Sequence, residues 1–395
     1  MNSNLSSKEF FPSGCEFYVI MGGRLNQPST LTQAFHIIII VVHILTFPVT
    51  AALNALVMIA VKMKSRLRSH RSNIALALLA STDFVVGILV QPFFIVLIIT
   101  VLLGDISSAT CTLQALTNAM SGVSVSSSIL HTAMISGERY LAIRHSFAHF
   151  ALVTEARSLA ASILAWLLSI TLHIILVTFK SVFLPIRNIF FGLCLAFIIF
   201  CHVTVYREIR RHEKQIASQQ VTVEARKQFQ KDKKAFKVTF VIIVVLMLCY
   251  TPLLIHRAVL MSDRSEMSFE VLCISFFLAT LMTLLNAFFN PIIYAARLRE
   301  FRVAFIEYIC RTGNIAEAEQ IESELSGAAN AVVRKRAGQE RNGQTQQNVE
   351  QGNVNNNDNV NNNDVVIAPE LCRVTTCSGT SIQGTPSGPR QVSLE

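Results

Sequence analysis

Charged residues are scarce in this sequence. Asp, Glu, Lys and Arg make up 15% of its 395 residues, whereas a soluble globular domain carries about 25%. Hydrophobic residues account for 52%, and the mean hydropathy is +0.47. This composition argues against a soluble enzyme and favours an integral membrane protein.

Motifs of catalysis and of metal binding are also missing from the sequence. It contains no nucleophile elbow, Walker loop, HExxH or CxxC pattern, each of which places reactive groups at a fixed spacing. The nine cysteines are scattered along the chain. We therefore expect neither an enzyme active site nor a catalytic cofactor.

Apolar residues collect into seven long runs. A membrane-spanning helix needs about 20 mostly apolar residues, and the runs meet or approach this length. They lack the alternation of a transmembrane barrel, so they predict an all-α membrane protein with a seven-transmembrane helix bundle over residues 34–296. The runs cover residues 34–61, 73–103, 108–137, 158–179, 188–206, 236–260 and 271–296.

Basic residues lie mainly on one side of the predicted bundle. One set of connections holds 22 Lys and Arg, and the other holds 6. The basic side is expected in the cytoplasm, which puts residues 1–33 outside the cell, with a glycosylation acceptor at Asn4. The net charge of +9 would suggest nucleic acid in a soluble protein. Here the basic residues border apolar runs, so we expect lipid and cytosolic protein as partners and no nucleic acid.

Asp83 is a carboxylate in the middle of an apolar run. Such a group costs at least about 2.5–3.5 kcal/mol on insertion scales and needs a cation, a proton or hydrogen-bond partners. Ser128, Asn286, Asn290 and Asn54 are candidate partners. A neutral, structural Asp83 is one alternative. A proton- or sodium-coupled transporter using Asp83 is another, although we find none of the internal repeats usual in transporters.

Polar residues inside the runs form an ordered set of motifs. The set resembles the rhodopsin-like family of G-protein-coupled receptors and covers residues 34 to about 310. Its members are Asn54, Leu79-Ala80-Ser81-Thr82-Asp83, Glu138-Arg139-Tyr140, Trp166, Cys249-Tyr250-Thr251-Pro252 and Asn290-Pro291-Ile292-Ile293-Tyr294.

The resemblance implies roles for these residues. It implies a plasma-membrane receptor that signals to a heterotrimeric G protein, and a sodium pocket at Asp83, Ser128, Asn286 and Asn290. Pro252 and Pro291 remove backbone donors and kink their helices. The implied activation switches are Asn54, Glu138, Arg139, Tyr140, Asp232, Tyr250, Pro252, Pro291 and Tyr294.

Two segments follow the last run. Residues 297–311 alternate basic and apolar side chains, which suits a short amphipathic eighth helix on the inner leaflet, with Cys310 as a palmitoylation candidate or a plain thiol. Residues 312–395 are polar and of low complexity, and we expect a disordered cytoplasmic tail. Its Ser and Thr residues would be targets of a receptor kinase and then bind arrestin.

The sequence departs from the family pattern near the outer surface. Cys111 lies 28 residues before Arg139, and the outer connection 180–187 holds no cysteine. Any outer disulfide should therefore join two of Cys15, Cys111 and Cys273. The fifth run lacks the proline that is usual in the family, and in this the sequence resembles the melanocortin, lysophospholipid and cannabinoid branch. Other motifs are more like those of amine or adenosine receptors.

The predicted ligand site lies in the outer half. Residues 108–137 contain no acid for an amine ligand, and residues 271–296 contain no lysine for retinal, so a different small molecule, a lipid or a peptide is expected. Close helix packing and lipid contacts are the alternative roles for these positions. The candidates are Gln91, Asn118, Ser121, Gly122, Val125, His256, Arg257, Phe276, Phe277, Thr280 and Thr283.

Asp232 gives one further expectation. It lies 20 residues before Pro252, or about 30 Å along a helix, which brings it to the membrane face of Arg139. The family often pairs an acid here with the arginine. We therefore expect an Arg139–Asp232 pair that restrains basal signalling.

Overall fold

The structure is a computed structural model that describes residues 29–103, 107–218, 222–261, 269–310 and 315–327. Seven long helices and a shorter eighth follow one another along the chain. They are α1 (Thr30–Met63), α2 (Arg71–Leu102), α3 (Ser108–Arg144), α4 (Glu155–Thr178), α5 (Lys180–Ser218), α6 (Val223–Met261), α7 (Phe269–Arg297) and α8 (Arg299–Ile309).

Polar side chains cap the helices where they begin. Ser29, Ser107 and Thr154 each accept a backbone N–H from the residue three positions ahead, at 3.3 Å in all three cases. Such a cap satisfies one of the donors that an α-helix leaves without a partner at its start. Local sequence therefore fixes the first residues of α1, α3 and α4.

Six of the helices described are long and apolar enough to cross a membrane: α1, α2, α4, α5, α6 and α7. The exception is α3, which is rich in Ser and Thr. It contacts α2, α4, α5 and α6, and several of its hydroxyls donate to a carbonyl one turn back, as Thr132 does to Ser128 at 2.9 Å. Its low hydropathy thus reflects contact with protein, and its crossing of the membrane stays a prediction.

α2 contains a wider turn in its middle. Residues Val86–Val90 form a π turn between two α-helical halves, directly before Pro92, which has no N–H to donate. Gly87 lies in this turn, and a Cβ there would come within 2.8 Å of the Ala51 backbone nitrogen. A glycine is required here because α1 and α2 approach so closely.

Two predicted segments need correction. The outer connection expected at 180–187 is helical, since α5 begins at Lys180 and Phe179 alone separates it from α4. Residues 315–327 form a helix inside the segment expected to be disordered. Both errors have one cause: the predictions followed hydropathy and overall polarity, whereas the backbone also forms helical hydrogen bonds in polar segments. The rest of the tail lies outside the described residues.

The end of α7 is linked to α8. Tyr294 is fully buried, and its ring centroid lies 5.8 Å from that of Phe301. Arg302 donates to the backbone oxygens of Ala295 and Ala296, both at 3.2 Å. These contacts turn the chain from α7 into α8, whose buried face includes Phe301, Val303 and Phe305.

Candidate functional site

Asp83 lies in the middle of the bundle and is 1% exposed. Its Oδ2 accepts from the Asn290 side-chain amide at 2.7 Å. A cavity of about 10 Å³ adjoins it, lined also by Ser128, Tyr250 and Asn286, which is room for about one water-sized group. The structure therefore places Asp83, Ser128, Asn286 and Asn290, the four residues of the predicted pocket, close to one another.

Oxygen atoms without partners surround this cavity. The Ser128 Oγ and the Asn286 Oδ1, from the cavity lining, and the Oδ1 of Asn290, which binds Asp83 through its amide nitrogen, are buried and have no hydrogen-bond partner. Hard cations prefer oxygen ligands, and a carboxylate with three neutral oxygens supplies both charge and coordination. The residues present thus fit a sodium ion.

Asn54 links α1 to α7 beside this pocket. Its side-chain amide donates to the Thr50 oxygen at 2.9 Å and to the Ala287 oxygen at 3.0 Å. The second bond joins residues 233 positions apart in sequence. Asn54 thus holds the α7 backbone next to the helix turn that carries Asn286 and Asn290.

Glu138 and Arg139 form a buried ion pair near the C-terminal end of α3. We call this end of the bundle, which the sequence predicts to face the cytoplasm, the inner end. The Arg139 Nε and Nη2 lie 2.6 and 2.5 Å from the Glu138 Oε2, and both side chains are 7% exposed. The other carboxylate oxygen lies 2.9 Å from the His149 Nε2. Both oxygens of the buried carboxylate therefore have partners.

His149 belongs to a short helix, Ser146–Leu152, in the second inner connection. Arg71 at the start of α2 donates to the oxygens of His149 and Phe150 at 3.0 and 2.9 Å, and its guanidinium lies 4.5 Å from the Phe150 ring centroid. Phe147 on the same helix is 95% exposed. The short helix thus contacts Glu138 through His149 and also carries the exposed apolar side chain of Phe147.

The pair expected between Arg139 and Asp232 is not formed, so that prediction is wrong. Arg139 is held by Glu138, the adjacent residue in the chain, which reaches the guanidinium without crossing to another helix. The inner ends of α5 and α6 are joined instead by Lys233 and Glu213. Arg144 of α3 pairs with Glu208 of α5 at 2.9 Å.

An apolar cluster packs the same inner ends together. Val205 and Ile209 of α5 and Phe236 of α6 are buried, and Tyr140 of α3 packs against them. His202, which stands where the family usually has tyrosine, stacks on Phe236 with ring centroids 5.5 Å apart. The inner ends of α3, α5 and α6 are therefore held by both apolar and ionic contacts.

The aromatic switch residues and the two prolines have defined places. Tyr250 lines the Asp83 cavity and packs with Leu246 and Cys249. All three residues precede Pro252 in α6 by no more than two helical turns. Pro291 lies within α7, next to Asn290. The hydroxyl of Tyr294 is buried without a partner.

The predicted ligand residues divide among several places. Ser121, Val125 and Thr283 line the Asp83 cavity. A Cβ at Gly122 would come within 2.3 Å of the His173 ring, so Gly122 serves helix packing rather than a groove. The other candidates are not in the lining of this cavity. Asn118 and Thr280 are half-buried in α3 and α7, the Arg257 side chain lies outside the described residues, and Gln91, His256, Phe276 and Phe277 are buried or half-buried.

Sequence reasoning missed His149, Arg71, Glu213 and Lys233. Each belongs to a basic or mixed connection that resembles any solvated inner loop. His149 reaches Glu138 through the path of the short helix, and Lys233 reaches Glu213 from another long helix. Pairings of this kind depend on tertiary structure, and the sequence carried no local signal for them.

Cys111 is disulfide-bonded. The thiols of Cys194, Cys201, Cys249 and Cys310 are not in disulfides, and the side chain that pairs with Cys111 lies outside the described residues. The sequence predicts that any outer bridge joins two of Cys15, Cys111 and Cys273, and the pairing of Cys111 with either of the other two stays a prediction. The glycosylation candidate Asn4 is also outside the described residues.

Comparison with known proteins identifies the family that the chain matches. The model of the family described as 7 transmembrane receptor (rhodopsin family) matches residues 53–187 and 180–294. The guinea pig (Cavia porcellus) histamine H2 receptor is 25% identical over 300 residues, which is 70% of this chain and 80% of the relative.

Two further relatives belong to other branches. The human adenosine A2a receptor is 28% identical over 297 residues, 65% of this chain and 68% of the relative. The mouse (Mus musculus) melanocortin receptor 5 is 23% identical over 194 residues, 48% of this chain and 59% of the relative. These matches give the transporter alternative no support.

Proposed function

Because the chain belongs to the rhodopsin-like family of seven-transmembrane receptors, we propose that it transmits an extracellular ligand signal to a heterotrimeric G protein. The observation that carries this proposal is the buried Glu138–Arg139 pair at the end of the bundle where α3, α5 and α6 meet. Release of Arg139 from Glu138 would expose a cation in a cleft between these helices. The exposed Phe147 adds an apolar contact for the G protein.

The proposed location is the plasma membrane, with the N-terminus outside. The excess of basic residues in the inner connections supports this orientation, because positively charged loops stay in the cytoplasm. Arg144, Arg210 and Lys233 all lie at the proposed inner end. Neither an enzymatic site nor a nucleic-acid partner forms part of the proposal.

We propose sodium as the ion that the Asp83 pocket binds. The partner-free oxygens of Ser128, Asn286 and Asn290 support this choice, since a buried acceptor without a partner is unfavourable. Bound sodium would neutralise Asp83 and hold α2, α3 and α7 together. It would thereby stabilise the resting arrangement of the helices.

The proposed ligand is neither an amine nor retinal. α3 contains one acidic residue, Glu138, which lies at the opposite end of the helix from an outer pocket, so an ammonium would find no counter-ion on α3. α7 contains no lysine for a Schiff base. Small-molecule, lipid and peptide ligands of other chemistry remain within the proposal.

Three features of the C-terminal part complete the proposal. α8 buries an apolar face, while Arg299 at its start and Arg297 at the end of α7 are exposed, which suits a helix on the anionic inner leaflet. Cys310, directly after α8 and not in a disulfide, is a site for palmitoylation. A receptor kinase would phosphorylate the tail Ser and Thr residues, and arrestin would bind the product.

The test is a ligand-library screen of the full-length receptor in cells, read by arrestin recruitment. A receptor is expected to respond to at least one ligand class, and Arg139→Ala should then keep ligand binding while losing G-protein signalling. Arg144→Ala, at the exposed Arg144–Glu208 pair, is the matched control and should signal nearly as the wild type. Substrate flux in vesicles without any nucleotide exchange would contradict the proposal.

A further inference from the structure

Among the described residues at the inner end, three histidines each face a glutamate. A histidine gains or loses its charge near neutral pH, so the charge of each pair depends on the pH of its surroundings. The pairs are His70 with Glu300, His149 with Glu138 and His212 with Glu208, with nitrogen–oxygen distances of 3.7, 2.9 and 4.0 Å.

Burial separates the second pair from the other two. The side chains of His149 and Glu138 are 16% and 7% exposed, whereas those of His70 and His212 are 44% and 42% exposed. Water and salt screen exposed charges far more than buried ones. A proton therefore changes the electrostatic energy most at the short, buried pair of His149 and Glu138.

His149 shares its carboxylate with Arg139. The Arg139 Nη2 lies 2.5 Å from the Glu138 Oε2, and the His149 Nε2 lies 2.9 Å from the Oε1. An ionised carboxylate only accepts hydrogen bonds, so the His149 Nε2 carries a hydrogen and donates it. A neutral His149 adds no charge, and Arg139 then does not share the negative charge of Glu138 with a second cation.

Protonation of His149 places a second cation on the same carboxylate. The imidazolium and the Arg139 guanidinium then repel each other, and this repulsion is strong where water is scarce. Release of Arg139 removes the repulsion and leaves Glu138 to the imidazolium alone. His149 therefore binds a proton more tightly once Arg139 is released, and by linkage the proton favours the released state.

The short helix that carries His149 is held by contacts that do not depend on the carboxylate. Arg71 of α2 donates to the oxygens of His149 and Phe150 at 3.0 and 2.9 Å. Arg157 of α4 donates to the Ala151 oxygen at 2.5 Å. The ring of His149 is thus kept beside the carboxylate when the other cation leaves it.

Other charges near His149 do not set the direction of the effect. Arg71 and Arg157 bind backbone oxygens, which release of Arg139 does not disturb, so they oppose protonation of His149 equally before and after the release. The short helix holds no other titratable residue. The titratable and charged groups on the elements packed around His149 are Glu138, Arg139 and Tyr140 of α3, Arg71 of α2, Arg157 of α4 and His145 in the connection.

We propose that His149, Glu138 and Arg139 form a proton-sensitive switch, in which a proton that His149 takes up from the cytosol releases Arg139 and raises basal nucleotide exchange. The inference rests on the receptor function proposed above and specifies its regulation. His149 is a positioning residue, because it acts on the G protein only through Glu138 and Arg139. The partial exposure of its side chain lets the proton arrive from water without opening the bundle.

The first experiment measures basal nucleotide exchange by the full-length receptor in lipid nanodiscs with a heterotrimer. Lowering the pH from about 7.5 to about 6.0 covers the range in which a histidine gains its proton. The rate should rise about fivefold relative to His149→Gln, the lower end of usual coupling. His149→Gln keeps an N–H donor for Glu138 and takes up no proton, so it also corrects for the pH dependence of the heterotrimer.

Two further variants sharpen this experiment. His149→Arg carries a permanent charge and should give fast exchange at both pH values. His212→Gln is the matched control, because it removes an exposed histidine that lies 4.0 Å from its glutamate, and it should keep the pH response of the wild type.

The second experiment needs no G protein. The imidazole NMR signal of His149, identified by its loss in His149→Gln, is followed as the pH is lowered in the wild type and in Arg139→Gln. In Arg139→Gln the signal should reach its protonated position at a higher pH, because Glu138 is no longer shared. A residue with a merely structural role would show no such difference.

Several results would overturn the switch. They are a pH response in His149→Gln as large as in the wild type, an equal loss of the response in His212→Gln, and the same NMR titration with and without Arg139. If His149→Gln does not fold, basal exchange by His149→Arg no faster than by the wild type at about pH 7.5 would overturn it too. A shifted NMR titration without exchange on any heterotrimer would support the proton linkage and contradict the receptor function.

Discussion

Asp83 and Glu138 are both buried carboxylates, and they differ in how completely their surroundings pair them. Asp83 accepts one amide hydrogen bond from Asn290 and faces a cavity with partner-free oxygens. Glu138 binds Arg139 with one oxygen and His149 with the other. The middle of the bundle therefore retains capacity to bind an ion, whereas the inner end is closed by its own side chains.

The largest effect is expected where the pairing is complete. Glu138→Gln removes the negative charge that holds Arg139, and breaking a buried ion pair costs about 3–5 kcal/mol. If about a third of this free energy destabilises the resting state relative to the active state, basal nucleotide exchange rises about tenfold. The measurement is ligand-independent exchange at matched surface expression.

Glu208→Gln provides the control for this prediction. Glu208 pairs with Arg144 at the same end of the bundle, but Arg144 is 42% exposed, so the loss should change basal exchange far less. Equal effects of the two substitutions would mean that burial does not distinguish the two pairs. The expected difference between the buried Glu138–Arg139 pair and the more exposed Arg144–Glu208 pair would then be wrong.

The second prediction concerns the incompletely paired site. Sodium, compared with choline at equal ionic strength, should raise the thermal midpoint of the wild-type receptor, and Asp83→Asn should abolish this difference. The expected stabilisation is roughly 1–3 kcal/mol at sodium concentrations ten to a hundred times the Kd. Thermal unfolding in the two salts measures it.

Two serines of α3 sharpen this test. Ser128 lines the cavity, whereas Ser126 donates to the Gly122 oxygen at 2.8 Å and lies outside the cavity lining. Ser128→Ala should weaken the sodium response, and Ser126→Ala should preserve it. If the thermal midpoint of the wild-type receptor is the same in sodium and in choline, the pocket does not bind sodium and has only a structural role.

The contrast between the two carboxylates also separates what the sequence reveals from what it conceals. Asp83, Asn286 and Asn290 were predicted to meet because a carboxylate in an apolar run requires partners, and few polar residues lie at the same depth. The inner end offers many charged residues at similar depth, so composition does not select among them. His149 pairs with Glu138, and Glu213 pairs with Lys233, through helix geometry that hydropathy does not encode.

Helix boundaries show the same limit. Apolar runs located the six described helices that are long and apolar enough to cross a membrane, because the hydrophobic length of a span follows from bilayer thickness. The start of α5 at Lys180 and the helix at residues 315–327 lie in polar sequence, where this reasoning has no signal. For Gly122 the sequence left a ligand groove and close helix packing as alternatives, and its closeness to His173 became visible only from the packing of α4 on α3.

A smaller effect is expected from the exposed link between α5 and α6. Lys233→Glu removes the pair with Glu213 and should raise basal exchange by less than about threefold, because exposed ion pairs contribute little. The double variant Glu213→Lys with Lys233→Glu should restore the wild-type level. No restoration would show that Lys233 acts through another residue.

The smallest effect is expected at Asp232. Since Arg139 is paired with Glu138 rather than with Asp232, Asp232→Ala leaves the Glu138–Arg139 pair intact and should keep basal exchange within about twofold of the wild type. Basal signalling at matched expression is again the measurement. A rise as large as that of Glu138→Gln would show that Asp232 restrains the arginine after all.

The central claim is that this receptor activates a heterotrimeric G protein, and reconstitution tests it most directly. The Glu138→Gln receptor is purified, placed in lipid vesicles and mixed with heterotrimers of each major class, and binding of a non-hydrolysable GTP analogue is followed. At least one heterotrimer should exchange nucleotide faster than with empty vesicles, and adding Arg139→Ala should abolish the difference. Exchange no faster than with empty vesicles for every heterotrimer would contradict the account.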